Sequence, residues 1–166
     1  MSQVIRHAAL SPCGQYRSLL TRLYDREGIT AGLFGVNPSK ADHMIDDPTV
    51  RRLDGFADRL SWRRILLGNL ADYRATDPKE LARVEHPISE LNETHLEIII
   101  AESDILIAMW GPNKKLPKSL RDAWITLYAM CWDAQKPLMC WGTCKDGHPC
   151  HPLYLPYETP LVEWRI

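Results

Sequence analysis

The sequence predicts an α/β fold, a three-layer α/β/α sandwich with a mostly parallel central sheet of about four strands. An additional strand or hairpin is expected at the N-terminal edge. Short apolar segments that end at Gly, Asn or Pro alternate with longer segments of helical periodicity, and parallel neighbours need such crossover connections. No internal repeat or low-complexity linker divides the 166 residues, so we predict a single domain over residues 1–166.

The N-terminal half begins with a strand and continues as a strand-loop-helix unit. Residues 16–24 alternate between apolar and polar positions, as an edge strand or hairpin does. Residues 29–36 are nearly all apolar, which favours a strand buried on both faces. Asp47 followed by Pro48 is typical of a helix start, because the carboxylate can cap and proline fits the first turn. The expected buried face of that helix comprises Val50, Leu53, Phe56, Ala57 and Leu60.

The same pattern recurs toward the C terminus. Apolar segments, each followed by a glycine, predict further strands at residues 65–67, 104–110 and 137–141. Helical periodicity predicts helices over residues 91–101 and 119–132, with a short helix near Leu81. In sheets of this kind, ligands bind outside the carboxyl ends of the strands. We therefore expect the functional residues in the loops that follow the strands.

Polar and aromatic groups follow each of the four predicted core strands. They are Asn37, Pro38 and Ser39, then Asn69 with Tyr73 and Arg74, then Trp110 and Gly111, then Trp141, Gly142 and Thr143. Carboxamides pair with ring edges and aromatic groups stack on ring faces, so this set favours a flat polar ligand. The alternative is that the Asn-Pro and Gly-Pro sequences are ordinary turns and that the tryptophans belong to the core.

Composition and charge narrow the functional classes. The net charge of -1 provides no overall basic field for nucleic acid, although Lys114, Lys115 and Lys118 could form a local patch. The sequence contains no serine-hydrolase elbow, no Walker-type phosphate loop and no zinc-protease motif. Arg6 and His7 interrupt the N-terminal apolar residues, and no segment is long enough to span a membrane. We therefore expect a cytoplasmic protein that does not bind membranes.

The five cysteines, an odd number, predict free thiols in a reducing compartment. The alternative is a metal site formed by Cys140, Cys144, His148 and Cys150. Because their spacing is tight and irregular for zinc, we expect no metal and no other cofactor. His148 and His151 are each followed by proline, which favours extended backbone and lets the imidazoles project from a stiff loop.

The order of these motifs resembles a known family. The segments that carry the resemblance are Gly35-Val36-Asn37-Pro38-Ser39, Asp46-Asp47-Pro48-Thr49-Val50-Arg51-Arg52, Asn69-Leu70 with Tyr73-Arg74-Ala75-Thr76-Asp77-Pro78, Trp110-Gly111, and Lys145-Asp146-Gly147-His148-Pro149 with His151-Pro152-Leu153-Tyr154-Leu155. They look like the family catalogued as domain of unknown function 1643 (DUF1643). The resemblance spans nearly the whole chain, but the family name implies no activity.

A second resemblance, to the uracil-DNA glycosylase superfamily, implies both a fold and a chemistry. In that group a G-x-N-P-type turn positions the hydrolytic water, a later asparagine reads the base edge and a late His-Pro stabilises the departing base. The resemblance implies these roles for Asn37, Asn69 and His151 respectively, in a uracil-DNA-glycosylase-like sandwich. The segment from Asn69 through Arg74 to Pro78 also resembles the iron-sulfur branch, but no cysteine set matches the cluster ligands.

These observations predict a glycosylase-like hydrolase that releases a nucleobase, with modified bases favoured, from DNA or from a nucleotide. Cleavage of an N-glycosidic bond builds positive charge on the sugar while the base leaves as an anion. Asn37 can orient water but cannot act as a strong base, so Asp46 or Asp47 is the candidate base, with Asp47 preferred. The predicted ligand-binding residues are Gly35, Pro38, Ser39, Asn69, Tyr73, Arg74, Trp110, Gly111 and His148.

Two alternatives stay open at this point. The same pocket could bind a nucleobase-containing ligand without turnover, as a sensing module does. The loop from Cys140 to His151 could instead serve a hydrolase of unrelated small molecules. The sequence leaves the oligomeric state undetermined.

Overall fold

The computed structural model of the chain describes residues 3–166. The strands are β1 Val4–Leu10, β2 Arg17–Tyr24, β3 Ile29–Gly35, β4 Trp62–Asn69, β5 Ile105–Ala108, β6 Leu138–Cys140 and β7 Val162–Glu163. The α-helices are α1 Pro48–Leu60, α2 Glu90–Glu102 and α3 Ala123–Asp133, and short 3₁₀ helices lie at Pro78–Arg83, Asn113–Lys115, Lys118–Leu120 and Pro152–Tyr154. Within residues 3–166, no helix combines the length and the apolar character that crossing a bilayer requires.

The strands form one mixed sheet in the order β1-β2-β4-β3-β5-β6-β7. β3 pairs in parallel with β4 and with β5, and β5 pairs in parallel with β6. The pairs β1 with β2, β2 with β4, and β6 with β7 are antiparallel. The structure thus corrects the expectation of about four mostly parallel strands. Both β1, which is largely exposed, and β7, which has two residues, lack the apolar pattern that predicts a strand.

Helices cover both faces of the sheet, which confirms an α/β architecture. Ala31 and Leu33 of β3 belong to the same buried cluster as Val50 of α1. Phe34 of β3 belongs to a second cluster with Ile99 of α2 and with residues of α3. Side chains that alternate along one strand therefore enter two apolar cores, which explains why this segment is apolar at nearly every position.

The start of α1 follows the sequence prediction. The side chain of Asp47 accepts a hydrogen bond from the Val50 amide at 2.8 Å, and Pro48 occupies the first turn. Val50, Leu53, Phe56 and Ala57 are buried as expected. Leu60 is 44% exposed, so its assignment to the buried face is wrong. It lies in the last turn of α1, and the core contacts of the helix end at Ala57.

The connections that follow β3 and β4 lead to opposite faces of the sheet. After β3 the chain enters α1 and its core, whereas after β4 it enters α2 and the other core. In α/β sheets a ligand crevice opens at the carboxyl ends of adjacent strands whose connections diverge in this way. The last residues of these two strands, Gly35 and Asn69, are paired in register and therefore mark the position of that crevice.

Candidate functional site

A cavity of about 600 Å³ opens at the carboxyl ends of the parallel strands. Val50, Leu67 and Met109, all nearly fully buried in the core beside α1, form part of its apolar lining. Polar groups reach it from the segments after β3 and β5, from the end of β4, and from the loop after β6. A concave apolar surface with a few polar groups is typical of a small-molecule site.

Most of the predicted site residues meet in this cavity. Those that line it are Gly35, Asn37, Ser39, Asp47, Asn69, Trp110, Gly111 and His151. The remaining four, Pro38, Tyr73, Arg74 and His148, are not part of the lining. The fold thus brings together the two asparagines and the second His-Pro pair, which are far apart in sequence.

Asn69 carries a buried carboxamide without a protein partner. The residue is 4% exposed, and its Nδ2 is shielded from solvent with no hydrogen-bond acceptor among residues 3–166. Its Oδ1 lies beside Gly35, where a Cβ atom would approach it to 2.9 Å. An unpaired buried polar group costs about 1–3 kcal/mol. The native fold therefore retains this group at an energetic cost that a bound ligand could offset.

Asn37 differs because its amide group is engaged. Its Nδ2 donates to the carbonyl oxygen of Pro38 at 3.0 Å and to that of Ala75 at 2.8 Å. These two bonds occupy both amide hydrogens, so Oδ1 remains as the polar atom available to the cavity. An amide oxygen accepts a hydrogen bond from water or from a ligand N–H group but does not take up a proton.

His151 is held as a neutral hydrogen-bond donor. Its Nδ1 accepts a hydrogen bond from the Leu153 amide at 3.2 Å, so in the neutral ring the hydrogen resides on Nε2. Burial lowers the pKa of the imidazole, and the negative charge of Asp47 opposes this effect. At neutral pH the ring therefore offers an N–H group without a positive charge.

The two carboxylate oxygens of Asp47 have different roles. Oδ1 accepts the hydrogen bond that caps α1, which leaves Oδ2 for the cavity. No other carboxylate contributes to the cavity lining described here. Asp47 is therefore the candidate general base that the geometry retains.

Arg17 also lines the cavity, although it is not among the site residues predicted from the sequence. The residue is 2% exposed; its Nη1 donates to the Ala41 carbonyl oxygen, and its Nε has no partner among residues 3–166. By contrast, Arg22 of the same strand forms an ion pair with Asp46 at 2.6 Å. Burial lowers the pKa of Arg17 to about 10, so it is cationic at neutral pH. Only the tertiary partners distinguish these two arginines, and no sequence pattern shows them.

Arg74 supports the cavity loop from outside the lining. It donates to the carbonyl oxygens of Ser39 at 3.4 Å and Lys40 at 3.3 Å. Arg17 and Arg22 donate to the next two carbonyl oxygens along the chain. Three guanidinium groups therefore hold four consecutive carbonyl groups of the loop between β3 and α1.

The other predicted residues outside the lining also make internal contacts. His148 accepts a hydrogen bond from Nε1 of Trp110 at 3.1 Å, and the Trp110 ring packs edge-on against Trp164. Trp110 is 3% exposed, so its indole belongs mainly to this aromatic cluster. Tyr73 packs edge-on against Tyr16, with 5.5 Å between the ring centroids. These contacts leave His148 and Tyr73 as structural residues in the present geometry.

The cysteine-containing loop contributes thiols to the cavity. Cys144 and Cys150 line it, and their sulfur atoms lie 3.7 Å apart. Burial raises the pKa of Cys144 to about 11, so the reactive thiolate is scarce at neutral pH. Across residues 3–166, no group of three or more His, Cys, Asp or Glu side chains is arranged to hold a metal ion.

Comparison with known families gives a classification without an activity. The family described as "Protein of unknown function (DUF1643)" matches residues 17–153, and the chain belongs to this family. No curated protein and no solved structure is significantly similar to the chain. The matched segment contains every predicted site residue together with Arg17.

Proposed function

We propose that the cavity binds a nucleobase and that the protein is a glycosylase-like hydrolase of the N-glycosidic bond. The observation that carries this proposal is the buried carboxamide of Asn69, whose Nδ2 has no hydrogen-bond acceptor among residues 3–166. The edge of a nucleobase offers the complementary acceptor and donor. A ligand without such groups would leave the carboxamide unpaired, and sites built around buried polar groups reject ligands of that kind strongly.

The resemblance to the uracil-DNA glycosylase superfamily supplies the chemical hypothesis. In the proposed reaction water attacks the anomeric carbon of the sugar, the carbon–nitrogen bond breaks, and its electron pair stays on the base. The water loses one proton and the released base gains one. Asn37 Oδ1 orients the water, and Nε2–H of His151 donates to the base as it acquires negative charge.

The small number of groups that can accept a proton from water predicts that the hydrolysis is slow. Asn37 cannot accept the proton of water, and Asp47 already uses one oxygen to cap α1. We expect the proton of water to pass to Oδ2 of Asp47 only after the carbon–nitrogen bond has largely broken, which suits bases that leave readily, such as damaged or modified ones. The free thiols of the cysteines also support our proposal of a cytoplasmic location.

The second candidate is a module that binds a nucleobase-containing ligand without turnover. The observation that favours it is the structural engagement of two of the three candidate catalytic residues. Asn37 bonds the Pro38 and Ala75 carbonyl oxygens, and Asp47 caps a helix. In this case a nucleotide would raise the melting temperature and be recovered chemically unchanged.

Base release separates the two candidates. Wild type, Asn37→Ala and Asn113→Ala would be incubated with modified DNAs and nucleotides, and free bases would be measured by mass spectrometry. Asn113 is a matched control because its Nδ2 also donates to a backbone carbonyl group but lies outside the cavity lining. We expect release by wild type and Asn113→Ala but not by folded Asn37→Ala. Absence of release from the whole panel would contradict hydrolysis.

A further inference from the structure

We propose that Arg17, together with the N-terminus of α1, forms a phosphate-binding subsite, so that the ligand is a nucleotide with a terminal phosphate. This inference rests on the proposed nucleobase site and specifies its substrate class. It is carried by a buried cation in the cavity lining that forms no ion pair with any of residues 3–166.

Arg17 has fewer partners than the two neighbouring arginines, Arg22 and Arg74. Arg22 pairs with Asp46 and donates to two carbonyl oxygens, and Arg74 donates to three. Arg17 is as deeply buried as Arg22 but makes one side-chain hydrogen bond and no ion pair among residues 3–166. Buried charges are normally paired. An anion that enters the cavity would supply the missing partner.

The N-terminus of α1 lines the same cavity as Arg17. Residues 47–50, which form the cap and first turn of the 13-residue helix α1, all line the cavity with Arg17. Helix N-termini attract anions because their first amide groups lack partners within the helix. In this first turn Pro48 has no N–H group and Asp47 accepts from the Val50 amide, so among residues 47–50 the Thr49 amide is left for an anion. Lys115 adds a second cation to the lining, and Asp47 adds the opposing charge. With two cationic side chains and one carboxylate in the lining, the net charge around the cavity favours an anionic ligand group.

The deep burial of Arg17 favours a terminal phosphate over a phosphate of the DNA backbone. Arg17 is only 2% exposed to solvent, so a ligand group has to enter the cavity to reach its guanidinium group. A backbone phosphodiester continues as polymer on both sides, whereas a terminal phosphate is connected on one side only. The cavity also exceeds the size of a base alone, which leaves room for sugar and phosphate.

Calorimetric titration tests the subsite with inorganic phosphate, a set of 5′-mononucleotides, their matched nucleosides and a short single-stranded oligonucleotide. The proteins are wild type, Arg17→Met, Arg22→Met and Asp47→Asn. We expect at least one mononucleotide to bind wild type roughly 10- to 100-fold tighter than its nucleoside, the effect of one charged hydrogen-bonding partner. Arg17→Met should lose this preference and Arg22→Met should keep it. Asp47→Asn, which still caps the helix, should bind phosphate more tightly.

The outcomes separate this inference from the nucleobase site. Equal affinity of nucleotides and nucleosides for wild type, or a preference that survives Arg17→Met, overturns the phosphate subsite while nucleoside binding stands. Arg17-dependent phosphate binding without any nucleoside binding overturns the nucleobase site instead. If Arg17→Met fails to fold, an unchanged phosphate affinity in Asp47→Asn overturns the subsite. Tighter Arg17-dependent binding of the oligonucleotide than of mononucleotides overturns the terminal phosphate.

Discussion

Gly35 and Asn69 lie opposite each other at the ends of the parallel strands β3 and β4, and a Cβ atom on residue 35 would lie 2.9 Å from Oδ1 of Asn69. The absence of a side chain at one residue therefore sets the position of the carboxamide at the other. A glycine is required here by a close approach, since residue 35 has no unusual backbone conformation.

Gly35→Ala should weaken ligand binding more than it weakens the fold. The new methyl group has to displace the Asn69 carboxamide, so we expect the Kd for a nucleobase ligand to rise by roughly tenfold. Gly68→Ala is the control, because its Cβ would lie 2.6 Å from Cδ1 of Ile99, in the core beside α2. That variant should lose about 1–3 kcal/mol of stability with little change in Kd. The reverse pattern, measured by titration and denaturant unfolding, would show that Gly35 serves packing alone.

Asn69→Leu should weaken nucleobase binding roughly 10- to 100-fold without destabilising the free protein. Because Nδ2 of the carboxamide has no acceptor among residues 3–166, the substitution removes a buried unpaired group worth about 1–3 kcal/mol. Asn92→Leu is the matched control, since Asn92 Nδ2 donates to the Asn69 carbonyl oxygen at 3.2 Å. We expect Asn92→Leu to lower the free energy of unfolding and Asn69→Leu to leave it unchanged or raise it. A clear loss of stability in Asn69→Leu would mean that the carboxamide has an internal structural role.

His151 should make the protein less stable in mild acid. Burial lowers its pKa in the fold, whereas the unfolded chain titrates near the ordinary value of about 6.5. Below that pH the unfolded state binds more protons, so the free energy of unfolding falls as the pH drops toward the folded pKa. His151→Gln removes this contribution. Denaturant unfolding at pH 7.5, 6.0 and 5.0 should show a shallower acid decline in the variant, and identical declines would refute the assignment.

Arg74→Gln should lower stability although Arg74 does not line the cavity. The substitution removes hydrogen bonds to the carbonyl oxygens of Gly14, Ser39 and Lys40, and we expect a loss of about 1–3 kcal/mol. Arg59→Gln is the comparison, because its exposed ion pair with Glu158 is worth about 0–1 kcal/mol. Thermal unfolding of both variants measures the difference, and equal losses would argue against a role for Arg74 in holding the loop.

Periodicity identified the core strands and the helix start at Asp47 because both follow from local chemistry. Apolar segments bounded by glycine or proline mark buried strands, and the Asp-Pro pair satisfies the first turn of α1. The convergence of Asn37 and Asn69 on one cavity followed from the rule that strand ends share an edge, whereas the resemblance to a known superfamily selected His151.

The features that could not be predicted depend on tertiary partners. β1 has apolar residues that do not alternate with polar ones, and β7 has only two residues, so the pairing of both strands is set by their neighbours in the sheet. Whether Arg17 or Arg22 keeps a free charge depends on where Asp46 lies in space. Likewise, only the structure shows that Trp110 and His148 bond each other.

In the proposed site, the buried carboxamide of Asn69 at the end of β4 forms hydrogen bonds to a nucleobase. The most direct measurement is calorimetric titration of free bases and nucleosides into wild type and Asn69→Leu at neutral pH. We expect saturable binding of at least one base by wild type and a loss of roughly 10- to 100-fold in affinity in the variant. Equal affinity of the two proteins, or no binding of any base by wild type, would contradict it.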